Sequence, residues 1–210
     1  MLQLCLNSLA AITLVMTMFS SAYAVTVYSE SVSGDLSNDG LNPTVITLAA
    51  GSNSILGTTG GGTGTNFRDY FTVVVPSNLQ FISLIEAAGT QAGNVGFLGI
   101  QSGTQVTLPT NTTTATGLLG WIHYAPTATD INILPTIATP ANGSSGFGPP
   151  LGPGNYAFWV QDSSAGTFQY AFNIVLAPIP EPSAAVLMMA GLFALWPLLR
   201  RRFDGRRKPF

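Results

Sequence analysis

Between residues 25 and 177 the chain carries few groups that can attack a bond or move a proton. It has one histidine, His123, no lysine and no cysteine, and its carboxylates are Glu30, Asp35, Asp39, Asp69, Glu86, Asp130 and Asp162. His123 lies in Trp121-Ile122-His123-Tyr124, which reads as a strand with His123 on the face opposite Ile122 and Tyr124. A triad would need a placed serine, and no G-x-S-x-G elbow is present. The plainer role for His123 is a surface or hydrogen-bonded strand residue. Zinc would want a second His or a Cys, which this stretch lacks. A glycosidase needs two carboxylates about 5–10 Å apart, and sequence does not place these acids relative to one another. A secreted hydrolase stays open as an alternative, while the expectation is a non-enzymatic protein.

Two other constellations have chemistry to offer. Asp35-Leu36-Ser37-Asn38-Asp39-Gly40 sets oxygen ligands at short spacing in a turn, as calcium prefers, with Asp35 and Asp39 as candidate ligands. It lacks the full calcium loop with its closing Glu, and an Asx-turn in which Asp and Asn cap their own backbone is the competing reading. No other cofactor is expected. Trp121 and Trp159, with Tyr70 and Tyr156, are candidates to stack on sugar rings, whose CH-rich faces pack on apolar surfaces. Trp159 falls on the opposite face of its strand from Tyr156 and Val160, so one of these faces points outward. The competing role for these rings is core filling.

The elements that must position these residues read as strands. The seven acids face Arg68 alone, a net charge of −6 that the whole-chain value of −2 conceals, because the other basic residues fall after position 199. Such a stretch has no electrostatic footprint for nucleic acid. Scarce charge with abundant Thr, Ser, Gly and Asn argues against long helices, whose outer faces carry Glu and Lys. Asp69–Val75 ends at Pro76, Tyr156–Gln161 follows a Gly-Asn turn, and Phe168 to Leu176 alternates with period two. Asp162–Gly166 reads as a hairpin connection between the last two. Further strands are predicted at 25–29, 44–48, 79–85, 95–100, 105–108, 118–124 and 132–133. Gly57–Thr65 reads as a flexible surface loop; with no following helix or lysine it is not a phosphate cradle. Pro135–Pro153 reads as a second loop. With no cysteine there is no disulfide to hold the domain. An all-β fold, a β-sandwich or jelly roll, is expected over 25–177.

Both ends of the chain read as addresses. Residues 1–24 look like a secretory signal peptide, with an apolar region Leu9–Phe19 and Ala22 and Ala24 as the small residues of an A-x-A cleavage site. The positive n-region is missing, so the signal is atypical or translation starts further upstream. Residues 178–208 hold Pro180-Glu181-Pro182, an uncharged run from Ala184 to Leu199, and Arg200-Arg201-Arg202. A bilayer core about 30 Å thick takes roughly 20 apolar residues, so 184–199 is a short transmembrane helix that snorkelling by Arg200 would extend. The basic cluster should keep the C-terminus cytoplasmic and the domain outside. An ordinary single-span anchor is one reading of this tail.

The order of Pro-Glu-Pro, short span and arginines resembles the PEP-CTERM sorting signal of Gram-negative bacteria. That resemblance covers residues 178–208. It implies recognition of Pro180, Glu181 and Pro182 by the membrane transpeptidase exosortase, with Arg200, Arg201 and Arg202 as the stop-transfer cluster. It implies export by the Sec translocon, transient residence in the inner membrane, and a biofilm or extracellular-polysaccharide setting. Ala49–Gly57, Arg68–Pro76 and Gly154–Val160, in that order, resemble the bacterial pre-peptidase C-terminal domain, a jelly-roll accessory module that can bind calcium. The leading expectation is an exported surface or matrix protein. A carbohydrate-binding module using Trp121 or Trp159 is the rival.

Overall fold

Alternation along the last strand sets the layout. Tyr170, Phe172, Ile174 and Leu176 are buried, with Ala171, Asn173 and Val175 half-buried between them. Burial with period two means an extended chain with one face on a core. The computed structural model describes residues 24–60, 68–93, 96–124 and 130–180. Its elements are β1 (Val25–Ser29), α1 (Glu30–Ser33), β2 (Thr44–Thr47), β3 (Gly51–Gly60), β4 (Arg68–Val75) and β5 (Leu79–Glu86). There follow β6 (Gly96–Ser102), β7 (Gly120–Tyr124), β8 (Ile131–Asn132), α2 (Leu134–Ile137), β9 (Gly154–Gln161) and β10 (Thr167–Pro178).

The fold is all-β, with two five-stranded sheets ordered β1-β3-β10-β5-β8 and β2-β4-β9-β6-β7. The edge strands β1 and β2 pair in parallel with β3 and β4. The pairs β3–β10, β4–β9, β6–β9, β6–β7 and β5–β8 are antiparallel. One buried cluster draws on both sheets, with Ile55, Phe81 and Phe172 from the first and Phe71, Leu98 and Phe158 from the second. Phe71 and Phe158 are cross-strand partners, stacked at 4.8 Å and 6°. Such a pair adds about 0.5–1.5 kcal/mol beyond its buried area.

Strand β4 is buried on both faces from Asp69 to Val73, with Val74 exposed. Phe71, Val73 and Val75 enter the main core, whereas Tyr70 joins Val106, Ala157 and Trp159 in a second cluster on the outer side of the second sheet. The chain divides into two units, Met1–Ala177 and Pro178–Phe210.

The structure corrects three expectations. Gly57–Gly60 is strand rather than loop, paired with Thr167–Tyr170, while residues 61–65 lie outside the described residues. The glycine is there for packing: a Cβ at Gly57 would run into the Tyr170 hydroxyl opposite. Residues 105–108 are not a strand but part of a loop pinned by side chains, with Thr107 N donating to Gln101 Oε1 (3.0 Å) and Gln101 Nε2 to Thr107 Oγ1 (2.9 Å). Asp162–Gly166 closes no hairpin, because β9 and β10 belong to different sheets. Asp162, 1% exposed, holds that crossing by accepting from Ser164 N (2.8 Å) and Gly93 N (2.7 Å).

Among the described residues no helix is long and apolar enough to cross a membrane. The predicted signal region through residue 23, Glu181 and Pro182, the apolar run 184–199 and Arg200–Arg202 all lie outside the described residues.

Candidate functional site

Strand register gathers aromatic rings on the outer face of the second sheet. Gly99 of β6 lies opposite Trp121 of β7 on one side and Trp159 of β9 on the other. Having no side chain, it leaves the space between the two indoles to Phe97, its neighbour on the same face. Phe97 lies 4.9 Å from Trp159, edge-on, and 6.0 Å from Trp121, stacked at 22°. His123, opposite Phe97 in the ladder, sets its ring 6.0 Å away and meets Trp121 edge-on at 5.0 Å. Trp159 is 5% exposed and also contacts Tyr70 at 5.7 Å, whereas Trp121 is half-buried and His123 exposed.

Two loop segments turn this face into a cleft of about 270 Å³. The β6–β7 loop supplies Leu108, Thr110 and Thr112–Ala115; the segment after α2 supplies Asn142, the end of β9 supplies Gln161, and the connection after it supplies Ser163. Hydrogen bonds fix these walls. Trp121 Nε1 donates to the Ala141 carbonyl (3.0 Å), Asn142 Nδ2 to the Thr113 carbonyl (3.1 Å), and Ala115 N to the Asn142 carbonyl (2.7 Å). Gln161 Oε1 accepts from Trp159 Nε1 and from Arg68 Nε, both at 3.1 Å. Thr72 Oγ1 donates to the Thr104 carbonyl (2.8 Å) and ties the loop to β4. Among the described residues no carboxylate, lysine or arginine lines the cleft.

The acids meet elsewhere. Glu30 at the start of α1, Asp35 just after it and Asp69 at the start of β4 have carboxylate oxygens within 4.8 Å of one another. Glu30 accepts from Thr58 N (2.7 Å), Thr58 Oγ1 (2.9 Å) and Leu36 N (3.2 Å). Asp69 is 1% exposed and accepts from the Tyr170 hydroxyl at 2.8 Å. Burial, and then the Glu30 charge beside it, push the Asp69 carboxyl up to about 8, outweighing the Tyr170 hydrogen bond. Glu30 is raised as well, chiefly by burial. Burial and the neighbouring Asp69 raise the Tyr170 hydroxyl well above its ordinary value. Near neutrality this cluster holds a proton.

Asp39 is not in that group. Its oxygens accept from Leu41 N (2.9 Å) and Asn42 Nδ2 (2.7 Å), the Asx-turn arrangement, and these bonds hold its carboxyl below the ordinary range. Of the two candidate calcium ligands, Asp35 therefore sits with Glu30 and Asp69. Calcium takes about 6–8 oxygens; here both oxygens of Glu30 already accept hydrogen bonds, and Asp69 is buried against Tyr170. The donors are of the right type but do not form a ready cage. Nor does a substrate bond fit between Glu30 and Asp69, since Asp69 is 1% exposed.

Trp121 and Trp159 are thus brought together, one at the edge of a cleft and one in its floor. Phe97, Leu108, the threonine rim and Asn142 were not anticipated; the signal available was that Phe97 and Gly99 share parity on β6, which needs the register to become informative. Tyr156, the remaining aromatic candidate, packs in the main core on the other face. No protein-family model matches the chain, and no curated protein is similar to it in sequence.

Proposed function

We propose that the chain is an exported, non-enzymatic cell-surface or matrix protein of the PEP-CTERM kind, sorted and cut by exosortase near Glu181. The observation that carries this reading is the order of the tail: Pro180-Glu181-Pro182, sixteen uncharged residues, then Arg200-Arg201-Arg202. The same order with the basic cluster inside makes the inner membrane a transient station and the cell exterior the destination. The Sec translocon and exosortase are the implied partners, and extracellular polysaccharide is the implied setting. The fold is compatible with a small accessory module. Strand orders β3-β10-β5-β8 and β4-β9-β6-β7 match a jelly roll, with β1 and β2 added at one edge of each sheet.

The test is the mature C-terminus. Full-length chain expressed with exosortase should lose everything after about residue 181, read by intact mass, and should keep it in a host without the enzyme. A tail retained in both hosts would make the protein a plain anchored β-domain and remove the sorting assignment.

A second reading, a carbohydrate-binding module, is favoured by the half-buried Trp121 bordering a cleft floored by Phe97 and Trp159.

A further inference from the structure

The cleft on the second sheet has a composition that narrows its ligand. Its floor is aromatic, with Phe97 between Trp159 and Trp121: Phe97 and Trp121 lie within 22° of parallel, while Trp159 meets Phe97 edge-on at 63°. Its rim is built of short hydroxyl side chains, and those of Thr110, Thr113, Thr114 and Ser163 make no hydrogen bond with another described residue. His123, exposed beside Trp121, sets Nδ1 3.4 Å from the Gly96 carbonyl, which leaves Nε2 with capacity for one more bond. An apolar platform ringed by small donors and acceptors suits a ligand with one CH-rich face and a hydroxylated perimeter.

Charge and size refine the class. Acids, lysine and arginine are absent from the lining among the described residues, and the domain from 25 to 177 carries −6. A polyanion would meet repulsion and find no cation to pair with. At about 270 Å³ the cleft falls at the small end of ligand sites, room for one ring rather than a long oligomer. Its walls are already held by the Trp121–Ala141, Asn142–Thr113 and Trp159–Gln161 hydrogen bonds, so little ordering is required on binding. An extended peptide is a poorer fit to the cleft: strand addition would use the edge of β7, the last strand of the sheet, in the plane of the sheet, whereas the cleft lies over its face, where β6 and β9 are paired on both sides.

We infer that this cleft binds a single pyranose ring of a neutral polysaccharide, stacked at Trp121 and Phe97 and hydrogen-bonded by the threonine rim. The inference rests on the carbohydrate-binding reading and narrows it to uncharged hexoses and to one subsite.

The experiment titrates the full chain in detergent with maltohexaose, cellohexaose and mannohexaose, following tryptophan fluorescence and calorimetric heat. Hexagalacturonate serves as the anionic probe and a decaproline peptide as the peptide probe. At least one neutral oligomer should bind; Trp121→Ala should weaken it about tenfold or more, and Trp121→Phe, which keeps a ring, should restore most of the loss. Thr113→Val, on the exposed rim, should weaken it a few-fold with the far-ultraviolet β signal unchanged. Trp121-dependent binding of hexagalacturonate alone would overturn neutrality while keeping carbohydrate recognition. Silence toward every glycan, or Trp121-dependent binding of decaproline only, would overturn both. Binding of a neutral oligomer that is unaffected by Trp121→Ala would place the sugar elsewhere and overturn this site.

Discussion

The two sheets share one core, but their outer faces are built differently. On the first sheet the residues facing out from β3 and β10 carry no aromatic ring: Ser52, Ser54, Leu56 and Thr58 lie opposite Val175, Asn173, Ala171 and Gln169. On the second sheet the corresponding face carries Tyr70, Trp159, Phe97, Trp121 and His123 in mutual ring contact. A sheet needs only one apolar face to fold against its partner. The aromatic investment on the second face, and the β6–β7 loop laid over it, are therefore beyond what sandwich formation requires. This asymmetry is the observation on which the proposed sugar-binding cleft rests.

The largest expected effect tests whether the outer aromatic cluster is cohesive. Trp159 is 5% exposed, contacts Tyr70 and Phe97, and donates to Gln161. Trp159→Ala should cost about 3–5 kcal/mol, the range for deleting a buried aromatic side chain, measured by urea unfolding. A cost below about 1 kcal/mol would mean that the loop collapses onto the vacated space. The second face would then be no more than a soft surface layer.

A second test concerns the polar junction between the sheets, where Tyr170 of β10 donates to Asp69 of β4. Burial first, and the Glu30 charge next, raise Asp69 from 3.8 to about 8, so the folded state keeps a proton that the unfolded chain has already released. Stability from this group is therefore full below the unfolded value and declines as pH climbs through the interval up to about 8. Glu30, also raised, acts in the same direction. The fold should lose on the order of a few kcal/mol between about pH 5 and pH 9, seen as a falling Tm. Asp69→Asn, permanently neutral, should flatten most of that slope; an unchanged slope would relocate the titrating group. Excess calcium is expected to leave the profile as it is, because the Glu30 oxygens are already engaged by Thr58 and Leu36. A calcium-specific rise in Tm at the alkaline end would instead assign the cluster to the ion.

Much of the scaffold was legible because its signals are local. β10 alternates, and β4 and β9 are apolar runs ended by proline or turn residues, so pattern alone locates them. β3 was missed because its glycines resemble a loop; their meaning depends on Tyr170, more than a hundred positions away and brought opposite only by strand pairing. The cleft was half legible in the same way. Residue type singles out Trp121 and Trp159, but nothing in the sequence says that Gly99 lies between them and gives Phe97 its place. The acidic cluster inverted a local signal: Asp35 and Asp39 share a turn in sequence, yet Asp39 caps its own backbone while Asp35 joins Glu30 and Asp69 through the fold. Short-range spacing set Asp35 beside Asp39, but only Asp39 is claimed by the Asx-turn.

The smallest expected effect completes the comparison between the faces. Asn173 on β10 is half-buried, points away from the core and lies opposite Ser54 across the ladder. Asn173→Ala removes an amide that is not among the packed residues of either hydrophobic cluster. Its cost should stay within about 0.5 kcal/mol, and neutral-oligomer binding should be unchanged. That null result matters because it calibrates the other face: an outward position on the same sandwich can be emptied cheaply, so the cost at Trp159 cannot be a general property of outward residues. Should Asn173→Ala prove as damaging as Trp159→Ala, the first sheet's outer face would also be a packed interface. The case for a single functional face would then fail on stability grounds, before any ligand is considered.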